Sequence, residues 1–155
     1  MRSDEFREAL ARWASGVTVV ATEHEGQRHG LTASAFTSVS LSPALILVCV
    51  DRRTDSSEAL QRAAGFGVSV LAASQESEAL QMARPGPTKF DGLPFVRGPV
   101  TGQPLLAGAL AHLECRTYRI DDGGDHLIVL GEVLAVTTGE SSALVYYRRG
   151  FHPVG

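Results

Sequence analysis

The hydrophobic positions of the chain fall into short runs rich in β-branched residues, separated by polar or glycine-containing connections. That pattern is typical of a mainly β protein. Glu25-Gly26 separates the first two runs and predicts a β-hairpin over residues 17–34. Residues 44–50 are apolar throughout, so we expect this strand to be covered on both faces. The predicted strands are residues 17–22, 28–34, 44–50, 65–71, 109–120, 127–137 and 144–147.

A helical period precedes the first strand. Phe6, Leu10 and Trp13 recur on one side of a predicted helix that ends at Gly16, and we expect this side to be buried against a sheet. Two further short helices are predicted after the third and fourth strands. Residues 84–107 contain nine glycines and prolines and predict an irregular segment, which in a compact domain usually has a function.

These elements favour an antiparallel architecture. Short turns join several consecutive strands, and the helices are too few and too short to cover a parallel sheet. We therefore predict a mainly β fold, a β-barrel with peripheral helices, antiparallel and Greek-key-like in its connections. The chain contains neither a GxGxxG nor a GxxxxGKS/T motif, so the sequence supports neither a Rossmann fold nor a P-loop.

The composition of the chain limits which kinds of partner molecule it can bind. The 155 residues are enough for one domain, and a net charge of −3 without a basic cluster argues against nucleic acid and anionic membranes. No apolar run is long enough to cross a bilayer and the charged N-terminus is unlike a secretion signal, so we expect a cytoplasmic protein. Cys49 and Cys115 lie in apolar runs without metal-binding spacing, which predicts buried thiols and no metal site.

A hydroxyl-rich segment begins at the end of the predicted hairpin. Six Ser and Thr side chains fall within residues 32–42. Small residues let backbone N–H groups approach a ligand, and hydroxyls bind phosphate oxygens or polar ring edges. A Thr-rich edge strand would explain the same residues without any ligand. Both interpretations are open on composition alone.

Residues 51–57 form a polar connection between the third predicted strand and a helix. Hydroxyls at a helix start can bind an anion, but Thr54 or Asp55 as a simple helix cap is the commoner role. The two arginines of this connection fit either a phosphate or the aspartates beside them. His126 follows a glycine-containing turn and enters a strand, where a lone histidine is more often an ordinary hairpin-end residue than a functional one.

The order of these features resembles the flavin reductase-like family, the small FMN-binding split-barrel reductases that supply reduced flavin to two-component monooxygenases. The resemblance runs over nearly the whole chain and rests on several motifs in order. Ser69 departs from it, since the family commonly has asparagine there. The matching motifs include GLTASAFTSVS at 30–40, SS at 56–57, FGVSVL at 66–71, KF at 89–90, GDH at 124–126, LGEV at 130–133 and YRRGF at 147–151.

The resemblance implies which residues hold the cofactors. Those along the flavin are Thr32, Ala33, Ser34, Ala35, Phe36, Ser38, Ser40, Cys49, Val50 and Asp51. The flavin phosphate is implied at a helix start, on Ser56 and Ser57. The residues implied to reach the flavin from a neighbouring subunit or to cover its outer part are Ala83, Arg84, Lys89 and Phe90. His126 is implied to position the nicotinamide, and the dinucleotide is framed by Arg149, Gly150, Phe151 and His152.

The implied activity is hydride transfer from NAD(P)H to FMN or FAD by a single domain of residues 1–155. The resemblance also implies a homodimer and a separate flavin-dependent monooxygenase that takes the reduced flavin. The cofactors carry the hydride transfer, so no acid–base pair is required of the protein. Two alternatives are a split-barrel module that binds flavin or haem without turnover, and an enzyme of the same fold that acts on another substrate.

Overall fold

The computed structural model describes residues 1–154, and Gly155, the last residue of the chain, lies outside them. Within these residues the α-helices are α1 (Ser3–Leu10), α2 (Asp55–Arg62) and α3 (Glu76–Met82), with 3₁₀ turns at Ala73–Gln75 and Pro87–Phe90. The strands are β1 (Ser15–Gly16), β2 (Thr18–His24), β3 (Gln27–Ala33), β4 (Phe36–Leu41), β5 (Ala44–Asp51), β6 (Gly65–Val70), β7 (Phe95–Arg97), β8 (Pro104–Leu106), β9 (Ala111–Gly123), β10 (His126–Thr138), β11 (Leu144–Tyr147) and β12 (Gly150–Pro153).

One seven-stranded antiparallel sheet forms the body of the molecule, in the order β3-β2-β6-β9-β10-β5-β4. The predicted hairpin is confirmed as β2–β3, and it turns at Glu25-Gly26, where φ is positive at both residues (53° and 77°). The sheet curls until β3 lies close to β5. The smaller sheets β1-β11-β12 and β7-β8 lie beside it, so the predicted antiparallel barrel with peripheral helices is confirmed.

Two hydrophobic cores lie on opposite faces of the sheet. Val20, Val48 and Phe66 belong to the core inside the barrel and are fully buried. Val19 belongs to a second core under α3, together with the fully buried Met82. Val19 and Val20 separate in this way because successive side chains of a strand point to opposite faces. Each such side chain contributes about 1.5–3 kcal/mol by burial, so both faces of β2 are firmly packed.

The first helix departs from its prediction in two respects. α1 ends at Leu10 rather than at Gly16, because the chain then turns into β1, which pairs with β11. The expected burial of its apolar side against a sheet is wrong: Phe6 is 56% and Trp13 73% exposed. The apolar side is not packed on the sheet, because a cleft lined by Leu10 and Trp13 on one side and by Phe36 and Leu47 on the other lies between them.

The strand β5 is fully covered on its barrel face and incompletely on the other, where Leu45 is 8% exposed, so the prediction of two covered faces holds only in part. Val48 and Val50 are fully buried inside the barrel, whereas Leu47 and Cys49 are half buried. The half-buried side chains face clefts between the sheet and the helices. A continuous apolar run therefore does not mean that a strand is central here, because cleft-facing positions are apolar too.

Candidate functional site

A groove with a volume of about 640 Å³ opens at the edge of the barrel. Small-molecule sites usually have volumes of roughly 300–1,000 Å³. Its three walls are the end of β3 with the residues after it, the end of β5 with the start of α2, and the turn after α3. The lining residues are Leu31, Thr32, Ala33, Ser34, Ala35, Cys49, Asp51, Arg53, Thr54, Asp55, Met82, Ala83, Arg84, Pro85, Lys89 and His126.

The first wall presents the open edge of β3. Within residues 1–154, β3 is an outermost strand and pairs with β2 alone. The Gly30 carbonyl points away from β2, because it accepts hydrogen bonds from Ser56 Oγ and Lys89 Nζ, both at 2.8 Å. The direction of backbone groups repeats at every second residue of a strand, so Thr32 also turns its N–H and C=O away from β2. These groups face the groove.

Two further backbone donors follow β3. Ser34 and Ala35 are exposed, and neither N–H finds an acceptor among residues 1–154. Their carbonyls accept hydrogen bonds from the N–H groups of Phe36 and Cys49, both at 3.0 Å, which fixes the local backbone. The small side chains leave room for a ligand to reach these donors. This wall can therefore bind the acceptor atoms of a polar ring edge.

The second wall carries an arginine that is held by a neighbouring carboxylate. Asp51 accepts hydrogen bonds from Arg53 Nη2 at 2.7 Å, from Arg53 Nε at 3.1 Å and from the Arg53 backbone N–H at 2.8 Å. These bonds hold the pKa of Asp51 well below its usual range. The Arg53 side chain is 84% exposed, so it keeps donors for an anion. Arg52 instead turns to Asp122 and away from the groove.

Ser56 and Ser57, which the resemblance implies at the flavin phosphate, do not line the groove. Ser56 is fully buried, and its Oγ donates to the Gly30 carbonyl. Ser57 is only 4% exposed, and its Oγ lies 3.5 Å from Gln61 Nε2. The Ser56 side chain thus supports β3, the Ser57 side chain packs within α2, and neither lines the groove. Four other residues of the 51–57 connection line the groove: Asp51, Arg53, Thr54 and Asp55.

The third wall is tied to the other two by Lys89, the sole lysine of the chain. Its side chain is 4% exposed, and Nζ donates to the Gly30 carbonyl at 2.8 Å and to Asp55 Oδ1 at 3.2 Å. Asp55 Oδ2 accepts the Gly86 N–H at 3.1 Å. Burial raises the pKa of Asp55, but the hydrogen bond and charge of Lys89 outweigh burial and keep this pKa below its usual range.

The helix-cap interpretation of Thr54 and Asp55 is also wrong. Thr54 occupies the N-cap position of α2, but its side chain makes no capping bond to the helix. Its Oγ1 donates to the Asp51 carbonyl at 2.8 Å instead. The Asp55 carboxylate is used by Lys89 and Gly86. A local carbonyl has thus taken the Thr54 side chain, and tertiary partners have taken the Asp55 side chain, so neither is left to cap the helix.

His126 lies at the mouth of the groove. It is the first residue of β10 and stands opposite Asp51 of β5. Its Nδ1 lies 2.7 Å from Asp125 Oδ1, and that carboxylate accepts the Nδ1 proton and orients the ring. The Nε2 atom is then left for a ligand.

The two thiols differ in their surroundings. Cys115 is fully buried, and burial together with the Glu114 charge raises the pKa of its thiol to about 12. Cys49 is half buried and lines the groove, which corrects the prediction that it is buried. Partial burial raises the pKa of Cys49 as well. No group of three or more His, Cys, Asp or Glu side chains within residues 1–154 is arranged to hold a metal ion.

Ten of the predicted cofactor residues line the groove, and the others lie elsewhere. Phe36 and Arg149 line an adjacent cleft of about 560 Å³ beside α1, which shares Ser34, Ala35 and Cys49 with the groove. Val50 is buried inside the barrel. Phe90 and Phe151 pack on other aromatic rings, Phe95 and Tyr146. Four residues on β4 and β12 line neither cleft, namely Ser38, Ser40, Gly150 and His152.

Six lining residues are absent from the predicted set: Leu31, Arg53, Thr54, Asp55, Met82 and Pro85. Arg53 and Asp55 had a sequence signal, because opposite charges beside a helix start are common in anion sites. Leu31 and Pro85 adjoin predicted residues and follow from continuity of the chain. Met82 had no signal, since its side chain is buried in the core under α3.

Comparison with known proteins identifies the family. Residues 10–155 match the family model described as the flavin reductase like domain. The chain belongs to this family. The NADH-dependent FAD reductase of Streptomyces globisporus is 44% identical over 137 residues, which cover 86% of this chain and 75% of that protein. The reductase component of 4-hydroxyphenylacetate 3-monooxygenase from Thermus thermophilus is 43% identical over 147 residues, which cover 94% and 93%.

A solved structure agrees with this assignment. The NADH:FAD oxidoreductase of Streptomyces globisporus C-1027, in complex with NAD and FAD fragments, superposes on this flavin reductase with a TM-score of 0.93. The two are 38% identical, and the match covers 98% of this chain and 92% of that one. The predicted split-barrel fold and NAD(P)H-dependent flavin reductase activity are thereby confirmed. In the described part of the chain, no helix is long and apolar enough to cross a membrane.

Proposed function

We propose that the groove between β3, β5 and α2 is the flavin site of this reductase. The observation that carries this proposal is the pair of unpaired N–H donors at Ser34 and Ala35, with the cations Arg53 and Arg84 elsewhere in the same groove. The polar edge of a flavin ring needs donors, and its phosphate needs cations. The groove supplies both within one volume of suitable size.

The neighbouring clefts indicate how the proposed flavin is oriented in the groove. The Ser34 and Cys49 end of the groove adjoins the cleft beside α1, whereas Asp55 and Lys89 adjoin a third cleft beside the β2–β3 hairpin. We place the ring at the first end, where the lining is small and partly apolar. The phosphate then lies towards Arg84 and Arg53, where backbone and guanidinium donors can hold it.

The protein's part in the reaction is to bind and orient. Bound flavin and nicotinamide supply the hydride transfer, from nicotinamide C4 to flavin N5. The N–H groups of Ser34 and Ala35 are rigid donors that can stabilise negative charge at the ring edge without rearrangement. His126, oriented by Asp125, positions the nicotinamide at the groove mouth and also excludes water there. The Cys49 side is open to the adjacent cleft, which gives the second nucleotide a way in.

We also propose a partner enzyme, an oligomeric state and a cellular location for the protein. The relatives named as reductase components of monooxygenases support a separate monooxygenase that consumes the reduced flavin. A homodimer would cover the exposed apolar surface formed by Phe6 of α1 and by Trp13 in the turn after it. We also propose that residues 1–155 act as a single domain and that the protein works in the cytoplasm, which cell fractionation would check.

Turnover with free flavin is the test of this function. Purified protein with NADH or NADPH is assayed for nicotinamide oxidation, with FMN, with FAD and without flavin. We expect turnover that saturates with added flavin, and the two half-saturation values rank FMN against FAD. Flavin that stays bound through gel filtration without turnover would favour a binding module. Bound flavin with turnover only on another acceptor would favour the second alternative enzyme.

A further inference from the structure

One buried ammonium group joins all three walls of the groove. Lys89 Nζ contacts the Gly30 carbonyl on β3 and the Asp55 carboxylate at the start of α2, while its own backbone belongs to the turn after α3. Asp55 also accepts the N–H of Gly86 from that turn. Because Lys89 is 4% exposed, these bonds form with little competition from water.

The turn that carries Arg84 depends on few contacts. The Arg84 N–H donates to the Gln81 carbonyl at the end of α3 (3.2 Å). Gly86, with a φ of +89°, stands between two prolines, and among residues 1–154 its N–H has the Asp55 carboxylate as its only acceptor. The side chain of Gln81 holds the later part of the turn, by donating to the carbonyls of Lys89 (2.8 Å) and Asp91 (2.7 Å). Beyond the bond from Arg84 to Gln81, the earlier part of the turn relies on the Asp55–Lys89 pair and on the bond from the Gly86 N–H to Asp55.

We propose that Lys89 and Asp55 act as positioning residues that hold Arg84 over the phosphate end of the flavin. This inference rests on the proposed flavin site and deepens it. Two of the three ammonium donors are used by the Gly30 carbonyl and Asp55, and the side chain is only 4% exposed, so Lys89 acts through the turn rather than as a direct phosphate ligand. Loss of Lys89 leaves Arg84 present but no longer held in place. We therefore expect weaker binding of the flavin phosphate, with binding of the flavin ring unchanged.

Comparing FMN with riboflavin separates these two contributions, because riboflavin lacks the phosphate. Flavin fluorescence titrations give dissociation constants for both ligands with wild type, Lys89→Met, Arg84→Gln and the double variant. We expect Lys89→Met and Arg84→Gln each to weaken FMN binding about tenfold, the value of one charge-assisted hydrogen bond, with little change for riboflavin. The double variant should be no weaker than Arg84→Gln alone, because both changes remove the same contact.

A measurement without flavin tests the positioning step itself. Hydrogen–deuterium exchange should be faster in residues 83–91 of the Lys89→Met protein and unchanged in the β2–β3 hairpin. Asp55→Asn is a second variant that keeps the lysine and should give the same exchange pattern and the same selective loss for FMN. Arg97→Gln removes one positive charge from the neighbouring cleft and serves as the matched control, with no effect on the FMN-to-riboflavin ratio.

The outcomes distinguish this inference from the proposed function. If wild type binds riboflavin as tightly as FMN, the phosphate placement fails, and the inference fails with it. If Arg84→Gln lowers FMN affinity but Lys89→Met does not, the flavin site stands and the inference is overturned. Independent, multiplying losses in the double variant, or equal losses for riboflavin, would also overturn it. If the Lys89→Met protein does not fold, the Asp55→Asn variant is tested in its place by the same criteria.

Discussion

The side chain of His126 is held in an orientation that leaves one ring nitrogen free for a ligand. Its Nδ1 is bound to Asp125, its strand position is fixed opposite Asp51, and it lies at the groove mouth. We predict that His126→Ala raises the KM for NADH about tenfold, the value of one lost hydrogen bond, and changes flavin affinity less. Steady-state kinetics at varied NADH measure this. His24→Ala, in the distant β2–β3 hairpin, is the control, and an unchanged KM for NADH in His126→Ala would refute the role.

Cys49 is a natural reporter of the groove. Burial raises the pKa of both thiols, that of Cys115 to about 12, so both are protonated at neutral pH and react slowly. Cys115 is fully buried, whereas Cys49 lines the groove. We predict that a thiol reagent labels Cys49 in the folded protein and Cys115 only after denaturation. FMN should slow the labelling of Cys49 at least severalfold, as peptide mass spectrometry would show. Labelling unaffected by saturating FMN would contradict the site.

Single residues are also where sequence reasoning reaches its limit. The segment from Thr32 to Ala35 could be predicted as groove lining because its small side chains and hydroxyls stand out. The hydroxyl of Ser56 could not be assigned correctly, because its partner is the carbonyl of Gly30, 26 positions away in the chain. Whether a hydroxyl faces a ligand or a strand depends on tertiary packing, which no local pattern records.

The long strand β10 supports the groove from within the barrel, and its close packing can be tested at Gly131. A Cβ at this position would lie 2.6 Å from Phe66 Cζ and 3.0 Å from Cys115 Cβ. We predict that Gly131→Ala lowers the free energy of unfolding by about 1–3 kcal/mol through overpacking. Urea unfolding measures this. Gly139→Ala, where the nearest atoms are 3.5 Å away, is the control and should cost nothing measurable. Equal stability of both variants would argue against the packing described.

The link between α2 and the turn after α3 predicts a dependence of stability on pH. Asp55 has a pKa below its usual range in the folded state, so its ion pair stabilises the fold above the unfolded pKa and is lost as pH falls through the folded value. The stability difference between wild type and Asp55→Asn should therefore be largest at neutral pH and shrink below about pH 4. Urea unfolding at neutral and acidic pH tests this. A difference that stays constant with pH would contradict the ion pair's contribution.

Among the elements, seven strands were predicted, whereas the placement of α1 was not, nor were the strands β1, β4, β7, β8 and β12, of which β7 and β8 lie in the segment predicted to be irregular. Alternation and turn residues locate β2, β3, β6, β9 and β10 to within a few residues. The helical period of Phe6, Leu10 and Trp13 correctly indicates a helix with an apolar side. It carries no information about what covers that side, because a sheet and a second subunit require the same pattern.

At the scale of the whole molecule, the exposed apolar side of α1 predicts self-association. A homodimer that covers Phe6 and Trp13 should have about twice the 16.5 kDa mass of one chain. We predict that Trp13→Glu shifts the mass measured by light scattering towards the monomer, because a charge would then face an apolar contact. Val100→Glu, at another exposed apolar position, is the control and should remain dimeric. A monomeric wild type at micromolar concentration would contradict the homodimer.

The flavin site of the whole molecule is tested most directly by following backbone amide NMR signals during an FMN titration. We expect the largest changes at Thr32, Ser34 and Ala35 on the first wall and at Arg53 and Arg84 on the other two. The cleft beside the β2–β3 hairpin should respond little. Changes concentrated there, at Arg28 and Arg97, with the groove amides unmoved, would contradict the central claim.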